Sequence, residues 1–224
     1  AARPRLGRMP VLTTERLELR PLVEEDAPAL HSLYTDPATW GHFPMGRWSD
    51  PRQSRSFVTS SRASFRRLGI GQFAVRRRGS GRVIGSTGAF VLAHEGDTPM
   101  RIVTDTTAPQ DLVPTGALVN IGWRLRPDVW GRGYATEAAR AVLDLLAERV
   151  PDLAVTAAVL STNPASERVC RRLGLDLVWQ GVTGEALRVR MHRPPVPGGE
   201  ACTRLVFADR PLDPDLLAAR NRTL

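Results

Sequence analysis

Two glycines, Gly131 and Gly133, lie between a strand-like run at 117–127 and a helix-like run that begins at Tyr134. Glycine lets a ligand approach the backbone because it has no side chain. The first turn of a helix leaves amide N–H groups without intrahelical partners, and the positive end of the helix dipole lies there. A strand–glycine–helix junction is therefore suited to phosphate or pyrophosphate. The alternative is that the two glycines only form a tight turn.

Other short motifs with a known chemistry do not fit this chain. All 31 basic residues are arginine, so the lysine of a P-loop is missing, and G-x-G-x-x-G does not occur at this junction. No G-x-S-x-G signal supports a hydrolase. The four histidines are too dispersed for a metal site and are each expected as surface or capping residues: His31, His42, His94 and His192. No metal is predicted.

The composition predicts one packed domain over residues 1–224, with residues 1–10 as a flexible leader. Of the 224 residues, 42% are hydrophobic and 24% are charged. No apolar run is long enough for a membrane helix, and the basic N-terminus lacks the apolar core of a signal peptide. Two cysteines, Cys170 and Cys202, exclude a disulfide scaffold and favour a reducing compartment. We therefore expect a cytoplasmic protein with no membrane partner.

The net charge of +8 is compatible with an anionic ligand, because guanidinium groups pair well with phosphate. The arginines are scattered among 23 acidic residues. A nucleic-acid-binding protein is expected to concentrate its basic residues on one surface. Nucleic acid is therefore the less favoured partner, and an Arg-rich nucleic-acid-binding protein is kept as an alternative.

The apolar periodicity and the turn residues predict the element order β, α, α, β, β, β, α, β, α, β, β. Helices are predicted at about Glu24–Tyr34, 51–68, Tyr134–Val150 and Asn163–Leu173. Strands are predicted at 11–20, 71–78, 82–92, 117–127, 153–160, 175–182 and 203–208. Residues 93–116 are predicted to form a loop or insertion. This order predicts an α/β domain whose mixed sheet is largely antiparallel in its first half.

Three segments together resemble the GCN5-related N-acetyltransferases (GNAT). They are IGWRLRPDVWGRGYATEAARAVLDLL from Ile121, STNPASERVCRRLGL from Ser161, and LTTERLELRPL at 12–22. The resemblance covers roughly residues 12–182, and it is closest to the branch of ribosomal-protein N-terminal acetyltransferases. It implies a mixed sheet splayed in the middle and flanked by helices, with acetyl-CoA or another acyl-CoA lying in the splay. It also implies direct transfer of the acetyl group to an amine without a covalent enzyme intermediate.

The resemblance assigns cofactor-binding residues one by one. The pyrophosphate loop of the family falls on Trp130, Gly131, Arg132, Gly133, Tyr134, Ala135 and Thr136. The main chain of the preceding strand, at Trp123, Arg124 and Leu125, would pair with the pantetheine arm. Asn163 would contact the cofactor, cap the following helix, or do both.

Two further positions bear on catalysis. Ser166 resembles a serine that in this branch is proposed to help the thiolate leave, although it could equally be an ordinary first-turn helix residue. Cys170 stands where many family members carry a tyrosine acid, and a buried structural role is expected for it.

Asn120 replaces a glutamate that is common in this branch, and an amide cannot act as a base. A glutamate at 120 would be expected to have its pKa raised toward neutrality by burial. Either another carboxylate serves through water, with Glu95, Asp97 and Glu185 as candidates, or the acceptor amine already has a low pKa. An α-amine of pKa about 8 is roughly one-tenth neutral at pH 7, whereas a lysine amine is neutral in only about one molecule in 2,500. We therefore expect a protein α-amine or a small-molecule amine as acceptor.

The shape of the acceptor pocket and the activity itself leave alternatives open. The aromatic stretch with Trp40, His42, Phe43 and Trp48, together with the 93–116 segment, lies where this family shapes its acceptor pocket, although these side chains could equally be loop packing. An acyl-CoA-binding protein with lost or weak catalysis is the second alternative, because of Asn120. A homodimer is compatible with the sequence.

Overall fold

The computed structural model of the chain describes residues 9–94, 100–103, 116–182 and 203–222. The strands are β1 (Leu12–Thr13), β2 (Leu17–Pro21), β3 (Gln72–Arg77), β4 (Val83–Ala93), β5 (Arg101–Ile102), β6 (Ala117–Leu125), β7 (Val155–Leu160), β8 (Asp176–Gly181) and β9 (Arg204–Ala208). The helices are α1 (Ala27–Thr35), α2 (Pro51–Leu68), α3 (Tyr134–Arg149), α4 (Pro164–Arg172) and α5 (Pro214–Arg222). Short 3₁₀ turns occupy Glu24–Asp26, Pro37–Trp40, Pro44–Gly46 and Pro127–Val129.

The strands form one mixed sheet in the order β1-β2-β3-β4-β6-β7-β9-β8, and β5 also pairs with β4. Every described pairing is antiparallel except that of β6 with β7. This arrangement confirms the predicted α/β fold with a mixed, largely antiparallel sheet flanked by helices.

The sheet opens between its two parallel strands. β6 and β7 pair only at Val119 with Val155 and at Asn120 with Thr156. Beyond Asn120, β6 continues to pair with β4 as far as Leu125, but it no longer pairs with β7. One edge of β6 is therefore left without a strand neighbour inside the sheet.

Helices cover both faces of the sheet around this opening. Leu146 of α3 packs with Ile121 of β6 in the largest apolar cluster. Leu118 points to the other face, because side chains alternate along a strand, and there it packs with Ala219 of α5. Leu30 of α1 lies in a further cluster on that same side. Both faces therefore bury apolar residues, and the face opposite α3 also carries Asn120.

Local sequence signals explain the helix ends well. Asp50 accepts a hydrogen bond from the Arg52 amide at 2.8 Å, Pro51 occupies the first helical position of α2, and Gly69 ends the helix with φ +71°. These details agree with the predicted limits of α2, because each depends on residues within one turn of the boundary.

Besides shifts of one or two residues at strand ends, three predicted segments are organised differently in the structure. The first predicted strand is broken into β1 and β2 by a turn in which the Thr14 hydroxyl accepts from the Leu17 amide at 3.0 Å. The first helix begins as a 3₁₀ turn, and α1 starts only at Ala27. The predicted 93–116 loop contains the last residue of β4 and the short β5, while residues 95–99 and 104–115 lie outside the described part. Helix α5 was not predicted at all.

Candidate active site

A cavity of about 1040 Å³ lies where β6 and β7 separate. Its walls come from both strands, from the 38–43 loop, from the turn before α3, and from the start of α4. Every residue that the sequence analysis assigns to catalysis or cofactor binding lines this cavity: Asn120, Trp123, Arg124, Leu125, Trp130, Gly131, Arg132, Gly133, Tyr134, Ala135, Thr136, Asn163 and Ser166. The structure thus brings the predicted residues together, and their individual roles stay predictions.

The turn before α3 has the geometry of an anion site. Gly131 and Gly133 both have left-handed backbones, with φ +75° and +79°. Gly133 is the N-cap of α3 and supplies no capping side chain, so the first-turn amides of α3 keep their hydrogen-bonding capacity for a ligand. Trp130 anchors the turn, because its indole Nε1 donates to the Leu125 carbonyl at 2.7 Å.

Arg16, which the sequence analysis did not assign, braces the same turn. Its Nη1 donates to the Arg132 carbonyl at 3.0 Å, and its guanidinium lies 4.7 Å from the ring centroid of Tyr134. Its Nη2 also lies 2.6 Å from Oε2 of Glu137 in α3. The only signal for this role was its place in the LTTERLELRPL segment.

Glu137 completes this brace. Burial opposes ionisation of its carboxyl, but hydrogen bonds from Thr14 and Arg16 outweigh that effect and lower the pKa of Glu137. Thr14 Oγ1 donates to Oε1 at 2.6 Å, and the Arg16 amide donates to the same oxygen at 2.9 Å. The carboxylate therefore joins the β1–β2 turn to the first turn of α3.

Along its unpaired part, β6 presents different side chains to the two faces of the sheet. Ile121 and Leu125 face the α3 core, whereas Asn120, Gly122 and Arg124 alternate toward the opposite face. A side chain built at Gly122 would meet no atom within 4 Å. The face of β6 that bears Asn120 is therefore open above Gly122.

The side chain of Arg124 has a role beyond the predicted main-chain pairing. Its guanidinium lies 3.5 Å from the ring centroid of Trp40 and 5.1 Å from that of Tyr34. It also donates to the Thr39 carbonyl. Burial lowers the pKa of Arg124 from its ordinary value. Arg124 thereby joins the splayed strand to the 38–43 loop.

The aromatic residues were predicted either to shape the acceptor pocket or to pack within the loop, and both cases occur. Trp40, His42 and Phe43 line the cavity, whereas Trp48 stacks on Tyr34 with ring centroids 4.0 Å apart and does not line it. His42 is partly exposed in the cavity wall, so its expected role as a surface or capping residue stays a prediction. Burial, aided by the nearby charge of Arg124, lowers the pKa of His42 to about 4. The imidazole is therefore neutral near pH 7.

Asn120 has a partner that no sequence pattern indicated. Arg220 of α5 donates from Nη2 to Oδ1 of Asn120 at 2.7 Å. Both Arg220 and Arg204, at the start of β9, are buried and line the cavity. Burial, with the charge of Arg204 added, lowers the pKa of Arg220 to about 10, so the group stays charged at neutral pH. These two arginines lie beyond the segments that carry the family resemblance.

The start of α4 forms the far wall. The Asn163 side chain accepts from the Ser166 amide at 3.1 Å, so Asn163 is the N-cap of α4, and a cofactor contact remains a prediction. Ser166 lines the cavity in the first turn. Cys170 is fully buried, and burial raises its pKa to about 12, which agrees with the expected structural role.

Among the described residues that line the cavity, His42 is the only candidate for a general base. None of the described residues that line it is aspartate or glutamate. The three carboxylates suggested from sequence, Glu95, Asp97 and Glu185, lie outside the described residues. Within the described ranges, no group of three or more His, Cys, Asp or Glu residues is placed to hold a metal ion.

Comparisons with known proteins agree with this geometry. The uncharacterized protein YkkB of Bacillus subtilis is 26% identical over 165 residues, covering 73% of this chain and 84% of YkkB. A crystal structure of an acetyltransferase from Agrobacterium tumefaciens is 24% identical, with a TM-score of 0.60 over 94% of this chain and 99% of that chain.

A third similar structure comes from Salmonella typhimurium, an acetyl transferase that modifies the N-terminal serine of a 50S ribosomal subunit protein. It is 19% identical, with a TM-score of 0.61 over 89% of this chain and 97% of that chain. The family model for the acetyltransferase (GNAT) domain matches residues 16–176, which is well over half of the sequence. The chain therefore belongs to the GNAT acetyltransferase family.

Proposed function

We propose that this protein transfers the acetyl group of acetyl-CoA directly to a primary amine, either a protein α-amine or a small-molecule amine. The observation that carries the proposal is the opening of the sheet beyond Asn120, which exposes one edge of β6 next to a glycine-bearing helix N-terminus. Among similar structures, a ribosomal-protein α-N-acetyltransferase contains coenzyme A, and a microcin self-immunity acetyltransferase contains acetyl-CoA and AMP.

The pyrophosphate of acetyl-CoA would lie on the turn before α3. The left-handed backbones of Gly131 and Gly133 and the first-turn amides of α3 suit two phosphates. The pantetheine arm would then follow β6 from Leu125 toward Asn120, because its amides match the main-chain groups that β7 leaves without a strand partner on that edge, apart from the Leu125 carbonyl, which Trp130 occupies. The thioester would reach the open position at Gly122.

The reaction needs few protein groups. The amine nitrogen attacks the thioester carbon, the C–N bond forms, the C–S bond breaks, and the amine loses one proton to solvent. A main-chain N–H of β6 would donate to the carbonyl oxygen as it gains negative charge. The leaving thiolate of CoA, with a pKa of about 8.5 as a free thiol, would take a proton from solvent or from Ser166.

The main requirement of the reaction is that the acceptor amine is neutral. His42 is a poor base near pH 7 because its pKa is about 4, and the described cavity wall has no carboxylate. An amine that is already partly neutral meets this requirement without a protein base. The structure therefore favours an α-amine or a small-molecule amine over a lysine side chain.

The test is a thermal and kinetic assay with the intact protein. Acetyl-CoA at 100 times its dissociation constant should stabilise the folded state by about 2.7 kcal/mol. For a domain of this size the melting temperature should rise by about 5–10 °C. Release of free thiol should then follow the addition of amines from a mixed set of amino acids, N-terminal peptides and simple amines. No thermal shift with millimolar CoA would overturn the proposal.

We also propose that the protein works in the cytoplasm as a single domain. The support is the burial of Cys170 as a protonated thiol and the continuity of the sheet from β1 to β9. Among the described helices, none is long and apolar enough to cross a membrane. Cell fractionation tests the location, and sedimentation tests whether the protein is a homodimer.

A further inference from the structure

The face of β6 that bears Asn120 lies next to a part of the cavity that is rich in arginine. The part of the cavity next to this face, here called the acceptor half, contains the side chains of Arg220, Arg204 and Arg124. The described residues that line the cavity include no aspartate or glutamate. The acceptor half is therefore positively charged and has no carboxylate from the described cavity wall.

Arg220 is the clearest sign that a ligand belongs there. Only 4% of this residue is exposed, and its Nε is buried without any hydrogen-bond partner. Its Nη2 donates to Asn120, whose neutral amide satisfies one N–H but cannot balance the charge. Arginine binds carboxylate or phosphate through two parallel N–H donors, and Arg220 still has donors to offer.

Asparagine at position 120 is consistent with an anionic ligand at Arg220. A glutamate at this position would place a carboxylate beside Arg220 and neutralise it inside the protein. Asparagine is similar in polarity, but it leaves the positive charge of Arg220 available. Arg204, which is 5% exposed, adds a second guanidinium to the same half of the cavity.

We infer that the amine acceptor carries an anionic group, a carboxylate or a phosphate, that binds to Arg220 beside Asn120 while its amine lies at Gly122. This inference rests on the proposed function, because it names the acceptor class of that same site. Asn120 and Gly122 are two residues apart on one face of β6, which is a separation of about 7 Å. The anion and the amine should therefore be only a few bonds apart, as in a short amino acid or aminoalkyl phosphate. The positive charge of Arg220 would favour the neutral form of such an amine over its ammonium form.

The experiment uses matched pairs of acceptors with the intact protein and acetyl-CoA. The first set is ω-amino acids of increasing length, from glycine to 6-aminohexanoate, each compared with its carboxamide. The second set is 2-aminoethyl phosphate compared with ethanolamine. Thiol release gives kcat/KM for each, referred to the concentration of the neutral amine. We expect each favoured acid to exceed its uncharged counterpart at least tenfold, with an optimum at one chain length.

Substitutions at Arg220 and Asn120 test whether these residues cause the preference for anionic acceptors. In Arg220→Gln, the ratio of acid to uncharged acceptor should fall toward one, and Asn120→Asp should have the same effect because its carboxylate occupies Arg220. Asn120→Asp also covers the case in which Arg220→Gln does not fold. Arg55→Gln changes the net charge equally on an exposed face of α2 and should keep the wild-type ratio.

The possible failures are distinguishable. Equal rates for acids and their uncharged counterparts would overturn the inference and leave the proposed function intact. If no amine is acetylated, calorimetric titration compares the binding of β-alanine and β-alaninamide to the CoA-bound protein. Binding of β-alanine alone, lost in Asn120→Asp, supports the anion site while the proposed reaction fails, and equal or no binding of the two overturns the inference.

Discussion

The guanidinium of Arg16 and the carboxylate of Glu137 lie 2.6 Å apart, although 121 residues separate them in the sequence. Arg16 follows β1 at the edge of the sheet, and Glu137 lies in the first turn of α3. The same guanidinium holds the carbonyl of Arg132, so the pair fixes the turn that is proposed to bind pyrophosphate. A contact between distant parts of the chain thus shapes a site whose residues are local in sequence.

Breaking this pair should weaken CoA binding and stability together. We expect Glu137→Gln to lower the free energy of unfolding by about 1–2 kcal/mol, because Arg16 and Thr14 lose a charged acceptor. The dissociation constant for CoA should rise several-fold, since the Arg132 carbonyl is no longer held. Arg20→Gln is the control, because Arg20 pairs with Glu18 on an exposed strand surface and should change neither quantity noticeably. Calorimetry and chemical denaturation measure both effects.

The lowered pKa of Glu137 also predicts a pH dependence. A carboxyl group whose pKa is lower in the folded state stabilises the protein above its unfolded pKa, and this contribution is lost as the pH falls through the folded pKa. Stability of the wild-type protein should therefore decrease below about pH 4.5 more steeply than that of Glu137→Gln. Parallel denaturation curves for the two proteins across pH 3–6 would contradict the assignment.

Gly133→Val should abolish most CoA binding. Gly133 has φ +79°, which a β-branched residue rarely adopts, and the added side chain would lie at the start of α3 where phosphates are proposed to bind. Gly79→Val is the matched control, because Gly79 has φ +76° in the turn between β3 and β4. A Cβ at Gly79 would meet no atom within 4 Å, and a Cβ at Gly133 would meet only Arg16 Nη2, at the ordinary contact distance of 3.5 Å. Both variants should lose stability, and only Gly133→Val should lose the thermal shift with CoA.

Gly122→Leu should separate catalysis from folding. The Cβ of the new side chain would meet no atom within 4 Å, so we expect the melting temperature to stay within a few degrees of the wild-type value. Acetyl transfer should fall by about 100-fold, as a misplacement of about 1 Å already has such an effect. Gly122→Ala should show a smaller loss. A Gly122→Leu protein with wild-type kcat/KM would show that the amine does not approach β6 at this residue.

Ser166→Ala tests the leaving-group role. If Ser166 donates a proton to the departing thiolate, kcat should fall by about 100-fold while KM for acetyl-CoA changes little. Ser166→Thr keeps a hydroxyl in the first turn of α4 and should retain most of the activity. If Ser166→Ala keeps more than a third of wild-type kcat, the residue serves only as part of the helix.

The Arg220 contact changes what a glutamate at 120 should do. From the sequence alone, burial is expected to raise the pKa of such a carboxyl toward neutrality. Because Arg220 lies 2.7 Å from the side-chain oxygen of Asn120, the guanidinium should instead lower that pKa. Asn120→Glu should therefore gain no activity between pH 6 and 7, whereas a gain there would show that the carboxyl acts as a base despite Arg220.

The wild-type pH profile checks the same chemistry. With no protein base, kcat/KM should rise tenfold per pH unit up to the pKa of the acceptor amine and then level off. A bend near pH 6, well below the pKa of the acceptor amine, would reveal a working base. His42 would not be that base if its pKa is about 4, and His42→Gln should leave the position of any such bend unchanged.

The sequence by itself determined the elements and residues whose signals are local. The limits of α2 followed from Asp50 and Gly69. The two glycines between a strand and a helix indicated an anion site or a tight turn, and the family resemblance assigned the cofactor loop to them. The N-cap role of Asn163 was also predictable, because a cap binds an amide within its own helical turn. The missing base at Asn120 was likewise visible as a residue type in a family segment.

The tertiary structure decided the contacts between segments that are far apart in the chain. Arg16 bracing Arg132, Arg124 packing on Trp40, and Arg220 binding Asn120 across 100 residues all depend on how the sheet and helices meet. Periodicity shows that a residue is buried or exposed, but it does not show which distant group lies opposite. The charge of the acceptor half therefore became visible only when α5 and β9 placed their buried arginines beside the open strand.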